Sequence, residues 1–152
     1  MNAEQIQLVQ EATRGLKLRD VILIGDKFLR PNPTPNTPQF EARQQSKRNI
    51  TVSAGDIEEH DKHVKLLQVL VELGYRIVGP GEENPPVYFE IEATFVVEYE
   101  MTAEISESAI KAFAQTNSVH NVWPFWRQHV FDIVGRGRIP HIEVPLFPGI
   151  AA

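Results

Sequence analysis

VYFEIEATFVVEYEM, Val87 to Met101, alternates with a period of two along its whole length. Val87, Phe89, Ile91, Ala93, Phe95, Val97, Tyr99 and Met101 fall on one face, and Glu90, Glu92, Thr94, Glu98 and Glu100 on the other. Successive side chains of a strand point to opposite sides. The pattern therefore predicts a long strand of an antiparallel sheet, one side buried and one side wet. Just upstream, GPGEENPP (Gly79 to Pro86) is a turn. The segment before it, HDKHVKLLQVLVELGYRIVG (His60 to Gly79), admits two readings. Val64, Leu67, Leu70 and Val71 fit a helix capped by Gly74. Leu67, Val69, Val71, Leu73, Tyr75 and Ile77 fit one face of a strand, which also accounts for Tyr75 to Val78. The strand reading is preferred. Two long strands joined by a turn make a hairpin, and this hairpin anchors the sheet.

Working outward, Leu18 to Arg30 is rich in branched aliphatics and predicts another strand. The proline run PNPTPNTP follows, an extended connector that contains a PxxP match from Pro35 to Pro38. Residues 41 to 56 predict a weaker strand around Ile50 and Val52 at a sheet edge. At the N-terminus, Ile6, Val9 and Thr13, with Leu8 and Ala12 beside them, predict a short amphipathic helix stopped by Gly15. After Met101 the chain turns helical. Ser106 is the expected N-cap, Glu107 suits the first turn, and Ile110, Phe113 and Ala114 form an apolar stripe. A second helix is expected from Val122 to Val134, capped by Asn121, with Pro124 in its first turn. Gly135 and Gly137 would stop it and Pro140 prevent its resumption. Strands first and helices last give an α+β domain spanning 1–152. Its parts are an N-terminal helix (1–16), an antiparallel sheet (18–101), helices (106–137) and an apolar tail (138–152).

A chain of 152 residues is long enough for one domain with a real core. Its net charge of −5 argues against a general nucleic-acid or anionic-membrane binder, which needs concentrated Lys and Arg. With no cysteine, disulfides, thiolate metal sites and cysteine nucleophiles are excluded. The N-terminus is polar and not a signal peptide, and no apolar run approaches the roughly 20 residues of a membrane span. A cytoplasmic protein is expected. On the same ground the glycosylation pattern Asn49-Ile50-Thr51 is a chance match.

Each cluster of candidate chemistry has a plainer explanation. Glu90, Glu92, Glu98 and Glu100 share an open acidic face, which offers no contrast of environments to push two pKa values apart. His60, Asp61 and His63, beside Glu58 and Glu59, sit in a polar approach to a strand without a distant fourth ligand. His129 has no serine or cysteine nucleophile placed to use it. Arg136-Gly137-Arg138 complements a helix C-terminus. No phosphate loop, dinucleotide fingerprint, nucleophile elbow or HExxH appears. Neither an enzyme, a metal nor a cofactor is indicated.

What remains is apolar excess. VWPFWR, Val122 to Arg127, holds both tryptophans. Val122, Trp126, Val130 and Ile133 with Val134 make one stripe of the last helix, while Trp123, Phe125 and Phe131 lie off it. A helix apolar on most of its circumference is buried on all sides, and a two-layer domain covers only one. A second subunit across a two-fold axis is expected to cover the rest, through Val122, Trp123, Phe125, Trp126, Val130 and Phe131.

The segment VWPFWRQHVFDIVGRGRIPHIEVPLF, Val122 to Phe147, resembles the C-terminal signature of the SecB-like chaperones. Trp123-Pro124-Phe125-Trp126-Arg127 matches the opening of that family's main helix, Gly135 to Gly137 its stop, and Ile139-Pro140 through Pro145-Leu146 its crossover. The upstream order of elements agrees as well. The resemblance implies a four-stranded antiparallel sheet with helices on one face, the main helix near the C-terminus, assembled as a dimer of dimers. It implies an ATP-independent holdase that keeps unfolded polypeptides soluble in apolar grooves. Carried onto this chain, the client-binding role falls to Phe28, Phe40, Ile50, Val52, Ile139, Ile142, Val144, Leu146 and Phe147. Typical members continue into another helix and a polar tail that docks the translocase motor SecA; this sequence ends at Ala152, which puts motor coupling in doubt. The polar N-terminal helix and divergent middle look more like the members that accompany toxin–antitoxin pairs, with an antitoxin as dedicated client. Two competitors stand beside this reading. One is a hot-dog enzyme with an acid serving a thioester pocket, and the other a structural oligomer without a client groove.

Overall fold

The computed structural model describes residues 1–31, 42–81, 83–139 and 142–149. Its elements run α1 (Ala3–Gly15), β1 (Leu16–Leu29), β2 (Arg43–Glu59), β3 (Lys62–Val78), β4 (Val87–Met101), α2 (Glu107–Phe113), a π turn (Ala114–Ser118) and α3 (Val119–Gly137). The proline connector, with Phe40, lies outside the described residues.

Asn2 opens α1 with a capping box: its side chain accepts from Gln5 N at 2.8 Å, and Gln5 Oε1 accepts from Asn2 N at 3.1 Å. Gly15 ends the helix at a close approach, since a side-chain carbon there would come within 2.8 Å of Ile105. Glu11 of α1 accepts from both the main-chain N–H and the hydroxyl of Ser106, each at 3.0 Å. That pairing ties the first helix to the start of α2, where Ser106 in turn caps Ala109 N.

The sheet order is β1-β4-β3-β2, every pair antiparallel. The period-two strand is thus interior, with Val97 opposite Val69 on one side and Val21 on the other. β2 and β3 pair without interruption from Arg43–Val78 to Glu59–Lys62. His60 and Asp61 close that hairpin, both with positive φ (50° and 62°), the conformation two-residue hairpin turns require. His60 and Asp61 of the expected cluster are therefore turn residues, and His63 is in β3 with Nε2 3.4 Å from Asp56.

One face of the sheet is the core. Leu67, Val69, Val71, Leu73, Tyr75 and Ile77 of β3 are all buried, as are Phe89, Ile91, Ala93, Phe95, Val97 and Tyr99 of β4. Ala12, Ala109, Phe113, Val122, Trp126 and Val130 from the helices pack onto them. The opposite face is a lattice of cross-strand charges. Arg19 lies 2.9 Å from Glu59 and 3.5 Å from Glu98, Lys47 2.5 Å from Glu92, and Lys27 3.4 Å from Glu90. The hydrogen bond from Lys47 holds the Glu92 carboxyl below its ordinary range, and that from Arg19 does the same for Glu59.

The helical part corrects the expected break before Val122. Helix continues from Glu107 to Gly137 through the π turn, and Ser118 and Val119 have right-handed helical dihedrals. Asn121 does not cap, because its side chain accepts from the Tyr99 hydroxyl at 2.7 Å. Pro124 lies inside α3, not in its first turn, and Gly135 is also internal. The stop is Arg138, left-handed with φ 53°, whose N–H bonds Val134 O. Arg30 donates to the carbonyl of Gly137. Pro124 is exposed, brings no N–H and crowds the preceding turn. Pro124→Ala is expected to raise the unfolding free energy by about 1–2 kcal/mol. A urea melt with an unchanged or lower midpoint would show that ring contacts outweigh the restored helix bond. Among the described residues, no helix is long and apolar enough to cross a membrane.

Candidate binding groove

A groove of about 1520 Å³ opens between α3 and the β2 side of the sheet. Leu73 and Tyr75 of β3 with Trp126 and Val130 of α3 form its floor. Ser46, Arg48 and Ile50 of β2 face Trp123, Arg127 and Phe131 of α3 across it. Trp126 is the central fixture. Its ring lies 5.3 Å from Tyr75 at 40° and 6.1 Å from His129 at 24°, and only 1% of the residue is exposed. Burial against this floor pushes the Tyr75 phenol above its ordinary pKa. His129 packs on Trp126 with Nε2 3.7 Å from Asp26, beyond hydrogen-bond reach. Arg127 Nε has no hydrogen-bond partner among the described residues.

Residues 142–149 run along the groove. Trp123 Nε1 donates to Pro145 O at 2.8 Å. Gln44 Nε2 donates to Glu143 O at 2.9 Å, and Gln44 Oε1 accepts from Glu143 N at 3.3 Å. Arg48 donates to Pro148 O. The Phe147 ring stacks on His120 at 6.1 Å and 9°. Even so, Leu146 and Phe147 remain 70% and 68% exposed.

Of the residues expected to contact a client, Ile50, Ile142 and Val144 meet in this groove. Ile139 is buried. Phe28 stands at the far end of α3, where a side-chain carbon on Gly137 would come within 2.7 Å of its ring. Val52 is exposed farther along β2 and does not line the groove. Of the residues expected at a subunit interface, Val122, Trp123, Trp126 and Val130 are buried within the single chain. Phe125 and Phe131 stay exposed, at 53% and 73%. On the edge strand β1, Leu18 and Leu23 are exposed on the core side of the sheet and Ile22 and Leu29 on the charged side. Sequence reasoning missed Gln44 and Arg48, because long polar side chains are ordinary on a solvated edge strand.

No protein-family model and no curated protein matches this sequence. Among solved structures, the chain is similar to the Mycobacterium tuberculosis SecB-like chaperone Rv1957, determined in complex with a ChAD peptide from the Rv1956 HigA1 antitoxin. The TM-score is 0.65 at 14% sequence identity, over 94% of this chain and 98% of that one. Four antiparallel strands with the long helix packed late on one face are thus shared where sequence is not, and the chain has the fold of the SecB-like chaperones.

Proposed function

We propose that this protein is a holdase, an ATP-independent chaperone that binds unfolded polypeptide and performs no chemistry. The groove carries the reading. At about 1520 Å³ it exceeds the roughly 300–1,000 Å³ of small-molecule sites. Its floor is aliphatic and aromatic, with Ile50 and Phe131 on its walls, which suits a polymer held by apolar side chains at several points. Promiscuous recognition uses adaptable apolar surface in preference to a fixed catalytic array. Ile50 and Phe131, on opposite walls, are the proposed client contacts. The fold it shares with a SecB-like chaperone supports the same reading, and that neighbour's complex with an antitoxin peptide supports a dedicated antitoxin client as the narrower form. Phe125 and the exposed apolar side chains of β1 support assembly into a dimer of dimers, and the cytoplasm is the proposed location. A thioester pocket has less support, since it needs an acid isolated among apolar groups and Glu143 on the groove rim is exposed.

Suppression of aggregation of a chemically unfolded protein, without ATP, tests the reading. Stoichiometric protein is expected to keep the client soluble, and no effect at tenfold excess would sink it. Burying each of Ile50 and Phe131 contributes on the order of 1 kcal/mol, so the I50S/F131S pair is expected to weaken client binding about tenfold or more. Light scattering of the same variant checks that assembly is intact.

A further inference from the structure

The holdase reading leaves open what residues 142–149 do in the groove. They line it, bonded to Gln44 and Arg48 of β2 on one side and to Trp123 of α3 on the other. We propose that this segment is the groove's resident occupant, and that Gln44, Arg48 and Trp123 read the main chain of whichever extended polypeptide sits there. The inference rests on the holdase reading and reassigns Ile142 and Val144 from the wall of the groove to its contents.

The hydrogen bonds carry the argument. Among the described residues, each bond between the groove walls and this segment ends on a main-chain atom of the segment. Gln44 takes both the N–H and the carbonyl of Glu143, Trp123 the carbonyl of Pro145, and Arg48 those of Pro148 and Gly149. Groups that every peptide possesses are thereby recognised, and side-chain identity is left unread. Such a site discriminates extended chain from folded chain, not one sequence from another. That is the selectivity a holdase needs.

The segment is also a weak competitor by composition. Pro145 and Pro148 have no N–H, so neither can donate to a neighbouring strand. Leu146 and Phe147 keep most of their surface in water despite lying along an apolar groove. Wall side chains, and not a strand ladder, hold the segment, and segments with few buried contacts open at low free-energy cost. A client strand with more apolar side chains, and with amides where the prolines stand, would bury more and bond more. Exchange then favours unfolded client over the chain's own tail. With no client present, the tail covers apolar surface that would otherwise promote self-association.

A reversible clamp tests this. The chain has no native cysteine, and Ser46 and Glu143 are both exposed and line the groove, so Ser46→Cys with Glu143→Cys gives a unique pair that leaves Gln44, Arg48 and Trp123 in place. A short bismaleimide with a reducible disulfide in its spacer would join them and fix the tail in place. Affinity for two unfolded clients of unrelated sequence is measured by fluorescence anisotropy before cross-linking, after it, and after reduction of the spacer. Circular dichroism of the unlinked variant checks its fold. Cross-linking is expected to weaken both clients at least tenfold, with recovery on reduction. Equal affinity in the linked and unlinked states would overturn the inference and make the segment a fixed wall. Loss confined to one client would overturn main-chain reading. Failure of the unlinked protein to bind either client would sink the holdase reading, and this inference with it.

Discussion

Trp126→Ala is expected to lower the unfolding free energy by about 3–5 kcal/mol, the range for deleting a large buried aromatic. The residue is 1% exposed, and its ring joins α3 to Tyr75 of β3 while packing on His129 of its own helix. Its removal forfeits that apolar burial and leaves a void that neighbours fill only in part. Tyr75 is fixed on an interior strand, so the floor of the groove would collapse little. Domains of this size have unfolding free energies of about 5–15 kcal/mol, so the variant loses from about a fifth to all of the total. Urea denaturation at constant m-value measures it. Phe131→Ala is the control: it is one turn from Val134 and 73% exposed, and it should shift stability by less than about 0.5 kcal/mol. A Trp126→Ala cost under about 1 kcal/mol would show that α3 is held to the sheet by other contacts.

The contrast between these two residues also marks what the sequence could and could not reveal. In sequence, the apolar circumference of the last helix predicts the need for a second subunit. Part of that need is met within the chain, since the tail lies over Trp123 and bonds its indole N–H. A tail broken by prolines shows no periodicity, so nothing in its pattern says where it packs. Strands were more legible. Val87 to Met101 alternates because one face is core and the other water, and β4 has those same ends. β3 resolved correctly from a segment that also fits a helix, because branched and aromatic residues continue past Gly74 in strict alternation. Strand order was not legible, since a period of two reports which face a residue is on and not which strand lies beside it. Caps show the same limit. Ser106 and Asn121 are both good N-cap residues, yet Ser106 caps Ala109 while Asn121 turns to Tyr99. Only the tertiary partner decides between the two, and a distant tyrosine leaves no trace near residue 121. Gln44 and Arg48 were illegible for a related reason. A polar side chain on an edge strand looks the same in sequence whether it meets water or a carbonyl.

That tyrosine gives the second large effect, a loss of stability confined to alkaline pH. Tyr99 is 2% exposed, and its hydroxyl is shared between Asn121 Oδ1 at 2.7 Å and Ser118 Oγ at 3.1 Å. Burial pushes its pKa up to about 12, against about 10 for an unfolded tyrosine. Below pH 10 both states hold the proton and the stability is complete. Between 10 and 12 the unfolded chain releases the proton while the fold retains it. Ionisation then favours unfolding by about 1.4 kcal/mol per pH unit, or roughly 2–3 kcal/mol across the window. Tyr75, also raised by burial, acts in the same direction. Tyr99→Phe separates this contribution from other alkaline titrations, which are common to both proteins. At pH 8 the variant is expected to be less stable by about 1–2 kcal/mol, because Ser118 and Asn121 lose a partner in a buried setting. As the pH rises past 10, wild type loses stability to the phenol and the variant does not, so the gap closes and then inverts. Urea melts of both proteins from pH 8 to 11.5 measure the difference directly. A gap independent of pH would mean that Tyr99 ionises as readily folded as unfolded, and that water reaches the joint between β4 and the π turn.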